Sequence, residues 1–341
     1  MLRAALVPLA LLALSCTTPG STTTSVDASP VSSAQVTPPP SAGAPSPAPL
    51  PSVAPPLSER GAKALAADRD SKVLDNHLAL AHPIDSMYVE DTFDVLAADS
   101  SAPFLGAVDL TRKTVSALWH GPFQYRPERV VLVWVFGSHV KMQSDLATYA
   151  QGARQDGLGV YLPDQREIYL ATDTATIFTL CHELVHPLLA ADFARAPLWV
   201  GEGLASLFEL PDFSVPGEIH GMPAPRLDDI RDALKAPATA GIVSLDALFA
   251  LTTDDAFRTN EGLHYAAARH FMRWMDSKRH KLWQWYHAYR DGVLTDPTGE
   301  KAFIATFGET PAQANTEFVA WVTSPEGEAK AHWPGRSISP R

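Results

Sequence analysis

The segment TLCHELVHPLL, residues 179–189, places two histidines four positions apart in an almost entirely apolar stretch. On a helix, side chains four residues apart project from the same face, so His182 and His186 can reach one metal ion. Glu183 lies about a hundred degrees round the helix axis from His182, where a general base can stand beside the ion without ligating it. Buried imidazoles need polar partners and the apolar neighbours offer none, which favours a metal site over a coincidence of sequence.

A hydrolytic zinc site uses three protein ligands and keeps a fourth position open, so the pattern requires one more ligand. Asp192 has the spacing of the third ligand in the metzincin motif HExxHxxGxxH/D, although Leu189 stands where that motif has glycine. Glu202, within PLWVGEGLASLFE, is the other candidate. Its neighbours Gly201 and Gly203 each cost about 1 kcal/mol against alanine in a helix interior. They make sense if this helix packs closely on the first and carries Glu202 to the metal.

HELVH followed by PLWVGEGLA resembles the gluzincin zinc metallopeptidases, in particular the peptidase MA-like group, whose signature is HExxH followed by W-(L/V)-x-E-G-x-A. The resemblance extends upstream to GVYLPDQREIYLAT and downstream to LHYAAARHFMRWM. It covers roughly residues 155–322 and is most specific over 179–209.

The resemblance implies a Zn²⁺ ion held by His182, His186 and Glu202, with Glu183 as base and proton shuttle in the hydrolysis of a peptide or protein substrate. The strand REIYLAT is expected to be the sheet edge on which an extended peptide lies.

Peptide hydrolysis also requires a donor to the oxyanion, and Tyr265 is the candidate, with His264 as the alternative. A tyrosine packed in the core is an equally good interpretation of Tyr265. Ser206, one turn after Glu202, is a candidate hydrogen-bond partner for a ligand histidine. Cys181 is interpreted as a small buried apolar residue.

Pro187 departs from the usual motif because proline removes an amide and clashes with the carbonyl of Glu183, at about 3 kcal/mol in a regular helix. A kink there would tilt His186 and weaken activity. Three alternatives to an active peptidase of the gluzincin type remain. They are a zinc-binding envelope protein that holds peptide or wall material without turnover, a hydrolase that uses Asp192, and a structural lipoprotein with an accidental motif.

Apolar periodicity predicts strands at 87–98 and 129–137, a helix over 105–120 and a hairpin over 159–172. The helix at 174–192 is expected to be capped by Thr172 or Asp173, and helices dominate after residue 225. Strands followed by helices indicate an α+β fold, here a zincin-like domain with a small mixed or antiparallel sheet. Residues 59–210 are expected to hold the sheet and active helix, and 211–341 the helical part.

The first fifteen residues carry Arg3 and then a short apolar run, which predicts an export signal. Cys16 at its boundary resembles a bacterial lipoprotein site, so we expect a lipid-anchored envelope protein, with secretion as the alternative. Residues 16–58 are rich in Pro, Ser, Thr and Ala and predict a disordered tether. The net charge of −11 argues against a nucleic-acid partner.

Overall fold

The apolar run VLVWVF forms strand β4, Val131–Phe136, in the computed structural model, and all of its side chains are buried. Val133 and Val135 face one hydrophobic cluster, which the helix that carries His182 and His186 also joins. Trp134 and Phe136 face a second cluster on the opposite side of the sheet. The predicted strand is confirmed, and its lack of polar alternation is explained by burial on both faces.

The structure describes residues 83–149, 158–173 and 178–329, together with Leu14, Ser15, Glu59 and Lys63. The predicted lipidation site at Cys16 and the tether at 16–58 lie outside the described residues. The predicted signal segment does too, apart from the backbone of β1, Leu14–Ser15.

The principal sheet is mixed, with strand order β1-β5-β6-β4-β3-β2. Its other strands are β2 (Asp85–Val89), β3 (Phe93–Ala97), β5 (Gly159–Leu162) and β6 (Glu167–Ala171). Strands β3, β4 and β6 run parallel, whereas β2, β5 and β1 each pair antiparallel with their neighbours. Strands β7 (Pro211–Asp212) and β8 (His220–Gly221) form a separate two-stranded ladder.

Two expectations about strands are corrected. The single strand at 87–98 is a hairpin, because Glu90 and Asp91 both adopt positive φ, 50° and 55°, and reverse the chain between β2 and β3. REIYLAT is not a sheet edge, because β6 lies between β5 and β4. On that side of the sheet β5 lies between β6 and the two-residue β1, which is the outermost strand among the described residues. The predicted β5–β6 hairpin is confirmed.

Helices cover the sheet and make up most of the chain after it. Their bounds are α1 Phe104–Trp119, α2 His139–Tyr149, α3 Thr179–Asp192, α4 Leu198–Phe208, α5 Leu227–Lys235, α6 Pro237–Ala240, α7 Leu245–Phe249, α8 Asp254–Thr259, α9 Glu261–Arg273, α10 Leu282–Gly292, α11 Glu300–Phe307 and α12 Pro311–Thr323. A π-helical turn, Trp274–Lys278, extends α9, and a 3-10 turn, Pro325–Gly327, follows α12. A mixed sheet followed by helices confirms the α+β class.

Local signals place several helix ends correctly. From the sequence, Gly308 is expected to stop one helix, and Thr310 with Pro311 and Gln313 to start the next as a capping box. Gly308, at φ 77°, ends α11, and Thr310 with Gln313 forms a complete capping box at the start of α12. The expected cap of α3 is wrong. The N-cap residue is Phe178, without a side-chain cap, and the Asp173 carboxylate instead accepts a hydrogen bond from the backbone N–H of His139 at 2.8 Å. Among the described residues, no helix combines the length and apolar character needed to cross a membrane.

Gly201 and Gly203 flank Glu202, and the sequence suggests that both allow α4 to approach α3 closely. The structure shows a different arrangement. A Cβ on Gly203 would lie 3.2 Å from the Ala268 carbonyl oxygen and 3.1 Å from Met272, so this glycine admits α9 rather than α3. A Cβ on Gly201 would meet Leu189 of α3 at 3.4 Å, which is ordinary contact distance. Helix α4 is therefore packed between α3 and α9, and its central glutamate is buried by both.

Candidate metal centre

Helix α3 carries the first two candidate ligands on one face. It runs without a break from Thr179 to Asp192, with Pro187 inside it. The rings of His182 and His186 have their centroids 5.1 Å apart, at an interplanar angle of 71°. The proline following His186 therefore does not end the helix or separate the two imidazoles.

Helix α4 supplies the third candidate ligand. His182, His186 and Glu202 each offer one ligand atom, and these atoms all lie within 4.8 Å of one another. Nε2 of His182 is 3.5 Å from Oε2 of Glu202. All three side chains are buried. This triad can hold a metal ion, and it is the set of residues predicted as ligands from the sequence.

Several buried polar atoms beside the triad are also consistent with a metal site. Nε2 of His186 and both carboxylate oxygens of Glu183 are buried and make no hydrogen bond of normal geometry with the described residues. Leaving such groups without partners costs about 1–3 kcal/mol each, and more where the group is charged. A cation beside them would remove part of that cost, so the side chains present fit a metal.

The Glu183 side chain projects from α3 and packs against β5. A Cβ on Gly159 would lie 2.9 Å from Oε1 of Glu183, so only glycine leaves room for this carboxylate. Burial raises the pKa of Glu183 to about 8, although the charge of His182 and, more weakly, the backbone N–H of Tyr161 act to lower it. A carboxyl group of this kind exchanges a proton near neutral pH.

The pKa values of the candidate ligands His186 and Glu202 both lie below their ordinary values. Burial lowers the pKa of His186 to about 4, which keeps its imidazole neutral and able to ligate. Burial acts to raise the pKa of Glu202, but the hydrogen bond and charge of His182 and a hydrogen bond from Tyr265 bring it below its usual value. Glu202 is therefore a carboxylate at neutral pH, as a metal ligand must be.

The candidate oxyanion donors are placed differently from expectation. The hydroxyl of Tyr265, on α9, donates to the Glu202 carboxylate, so it contacts a ligand. Arg226 lies over the Tyr265 ring, 5.5 Å from its centroid. Nδ1 of His264 lies 2.6 Å from the carbonyl oxygen of Phe257 and serves the packing of α8 on α9. Of the two, only Tyr265 reaches the centre.

Two further expectations are corrected. Oγ of Ser206 is buried without a hydrogen-bond partner in the described part of the chain, so it does not orient a ligand histidine. Asp192 is not grouped with the histidines. Its carboxylate instead accepts hydrogen bonds from the Tyr286 hydroxyl at 2.7 Å, the Gln124 backbone N–H at 2.7 Å and the Arg290 guanidinium at 2.9 Å. The hydrolase that uses Asp192 as its third ligand is therefore disfavoured.

Cys181 points away from the centre. Its sulfur lies 3.2 Å from Oγ1 of Thr114 on α1, and burial raises the pKa of the thiol to about 12. The thiol is therefore directed at α1 and is not grouped with the three candidate ligands. The interpretation of Cys181 as a small buried residue agrees with the structure.

Strand β5 contributes two residues to the centre that were not singled out from the sequence. Gly159 makes room for Glu183. The ring of Tyr161 lies parallel to that of His186, with centroids 6.4 Å apart and an interplanar angle of 9°. A glycine inside a strand often marks a close approach by another group, so Gly159 in GVYL carried a signal. The stacking of Tyr161 had no local signal.

Comparison with known proteins adds one match. A family model described as "Protein of unknown function (DUF1570)" matches residues 176–290. The matched segment is less than half of the chain, but it includes the three candidate ligands, Glu183 and Tyr265. No curated protein matches the chain significantly.

Proposed function

We propose that this protein is a zinc-dependent peptidase. The observation that carries the proposal is the convergence of His182, His186 and Glu202 on one buried point, with the Glu183 carboxyl group beside them. Two imidazoles and one carboxylate are the ligand set of many catalytic zinc sites. When bound, zinc would act as a Lewis acid towards a carbonyl oxygen and would make water more acidic.

In this proposal Glu183 carries the proton. Burial raises its pKa and makes the carboxylate a stronger base, so it can take a proton from the attacking water and return it to the departing amine. Gly159 keeps the space around the carboxyl group open on the side of β5. Tyr265 acts by holding Glu202 in place rather than as the donor to the oxyanion.

A second candidate is a metal-binding protein without turnover. It is favoured by the burial of the four central side chains, of which the most exposed, His186, shows only 6% of its surface. A peptide must reach these side chains to be cleaved. The predicted signal at residues 1–15 and lipidation at Cys16 support an envelope location for either candidate, and this location is likewise a proposal.

The test is turnover of a mixed peptide library by the purified full chain, followed by mass spectrometry. We expect cleavage that a chelator abolishes and added zinc restores. Glu183→Gln should keep the metal and lose turnover by about 10²–10⁴-fold, the usual contribution of a general base. Glu300→Gln, an exposed glutamate at the start of α11, is the control for the loss of a carboxylate.

The result decides between the two candidates. Cleavage that disappears in Glu183→Gln but not in Glu300→Gln supports the peptidase. A protein that binds zinc tightly and cleaves no library member leaves the binding protein as the function.

A further inference from the structure

Helix α9 carries a fully buried arginine one turn after Tyr265. Arg269 shows 1% of its surface to solvent, and its Nη2 donates to the Met222 carbonyl oxygen at 3.0 Å. Its Nε and Nη1 are buried without a hydrogen-bond partner in the described part of the chain. Because buried charges in proteins are normally paired with a charge of opposite sign, these two donors call for an anionic acceptor.

The carboxylate nearest in its effect does not satisfy these donors. Burial lowers the pKa of Arg269 to about 10, and the charge of Glu209, at the end of α4, acts to raise it. The charges of Arg226 and Arg273 lower this pKa further. The Glu209 carboxylate accepts no hydrogen bond from the Arg269 side chain. Arg269 is therefore a cation at neutral pH in a region with an excess of positive charge.

Arg226, the residue before α5, brings a second guanidinium group to the same face of α9. Its guanidinium carbon lies 5.5 Å from the centroid of the Tyr265 ring. Tyr265 and Arg269 are four residues apart on one helix, so their side chains project from the same face. The Arg226 side chain is half-buried, and its guanidinium group makes no hydrogen bond or ion pair with another described residue.

Two guanidinium groups placed in this way suit a small oxyanion. A planar guanidinium group binds a carboxylate or a phosphate through two parallel hydrogen bonds. Arg269 offers two unpartnered donors from inside the protein, and Arg226 offers its charge from the surface. Because the Arg269 donors are fully buried, a small ion fits them better than a polymer does. A metal cation is disfavoured by charge of the same sign.

We propose that Arg226 and Arg269 together bind one small oxyanion beside Tyr265. The Tyr265 side chain separates this anion site from the metal centre, because its ring contacts Arg226 and its hydroxyl donates to Glu202. The site uses none of the candidate metal ligands and does not require a peptide to reach the triad. The inference therefore goes beyond the proposed peptidase.

A bound oxyanion has a consequence for the neighbouring metal centre. It would offset the positive charge of the two guanidinium groups near Glu202, and so favour the binding of a metal cation there. By linkage, the metal favours the oxyanion by the same factor.

The experiment is titration calorimetry on the full chain at neutral pH and constant ionic strength. The probes are inorganic phosphate and acetate, which distinguish a free inorganic ion from a small carboxylate ligand. The test variants are Arg226→Gln, which removes the charge, and Arg226→Lys, which keeps the charge but not the planar pair of donors. The control is Arg112→Gln, at a half-buried arginine on α1. Far-UV circular dichroism checks that each variant is folded.

We expect the wild type to bind at least one of the two anions about tenfold or more tightly than Arg226→Gln, which corresponds to one charge-assisted hydrogen bond. Arg226→Lys should lie between them, and Arg112→Gln should match the wild type. The anion that binds more tightly identifies the kind of oxyanion. An affinity that does not change in Arg226→Gln indicates binding elsewhere, such as at the metal, and would overturn the proposal. So would the absence of binding by either anion at millimolar concentration.

Thermal unfolding tests the buried half of the anion site. A ligand that binds only the folded state raises Tm with its concentration, so the anion that binds in the calorimetry should raise the Tm of the wild type. Arg269→Met keeps a long side chain without the charge, and it should abolish this rise. An equal rise in a folded Arg269→Met protein would remove Arg269 from the site.

Failure of this proposal and failure of the peptidase proposal give different results, because anion binding is measured without substrate. Library turnover by a wild type that binds neither anion leaves the peptidase and removes the anion site. Anion binding that depends on Arg226, in a protein without turnover, leaves the anion site and removes the peptidase.

Discussion

Nε2 of His182, on α3, lies 3.5 Å from Oε2 of Glu202, on α4, and neither side chain is accessible to solvent beyond 2%. This contact joins α3 and α4 at the candidate metal centre. It also makes Glu202, rather than Asp192, the third ligand candidate.

Glu202→Gln should bind metal much more weakly, because an amide oxygen carries no net charge to offset that of a divalent cation. We expect about one metal per wild-type chain and less than a tenth of that in the variant, measured by elemental mass spectrometry after dialysis. Zinc as the metal recovered would agree with the ligand set. Full metal content in a folded Glu202→Gln protein would rule out the triad.

Asp192→Asn should lower the free energy of unfolding by about 3 kcal/mol or more, because it removes the fully buried carboxylate that accepts hydrogen bonds from Tyr286 and Arg290. Metal content should not change. Chemical denaturation followed by fluorescence measures the first effect. Asp291→Asn is the matched control, since Asp291 also pairs with Arg290 but is 67% exposed, and it should cost less than about 1 kcal/mol. Loss of metal in Asp192→Asn would restore Asp192 as a ligand.

Tyr265→Phe separates the two roles considered for this hydroxyl. Because the hydroxyl donates to Glu202, we expect the variant to bind metal about 10–100-fold more weakly, measured by competition with a chromophoric chelator. At saturating metal its turnover should approach that of the wild type. Tyr289→Phe, whose hydroxyl donates to the Pro297 carbonyl away from the centre, is the control. Unchanged metal affinity with a large loss of turnover would instead identify Tyr265 as the oxyanion donor.

The raised pKa of Asp94 predicts that the free energy of unfolding depends on pH. Burial raises its pKa to about 7, against a hydrogen bond from Tyr88 that lowers it. Between about pH 4 and pH 7 the folded state holds a proton on Asp94 that the unfolded state has released, so the contribution of this group to stability is greatest below pH 4 and falls as the pH rises. The loss from this group is at most about 4 kcal/mol.

Asp94→Asn removes the titrating group, so the variant should gain stability relative to the wild type at pH 8 and little at pH 4.5. Urea denaturation at the two pH values measures the difference. Asp85→Asn, on the exposed end of β2, is the control for loss of a carboxylate. A difference between wild type and Asp94→Asn that does not change with pH would contradict the assignment.

Features that depend on neighbours in the chain were predicted from the sequence. Three such features are the helical spacing of His182 and His186, the β5–β6 hairpin and the cap at Thr310. Each depends on residues that lie only a few positions apart in the chain. The ligand role of Glu202 came from its flanking glycines and a family resemblance, and the structure brings it to the histidines.

Features that depend on long-range packing were decided by the tertiary structure. Helix packing brings the hydroxyl of Tyr265 to Glu202 and allows α9 to approach Gly203 closely. It also places α10 against Asp192. Helical periodicity determines which face of a helix is buried but not which element covers it. The order of strands likewise placed β6 between β5 and β4, away from the edge of the sheet. The sequence therefore determined the chemistry available on α3 and α4, and tertiary packing decided which residues surround it.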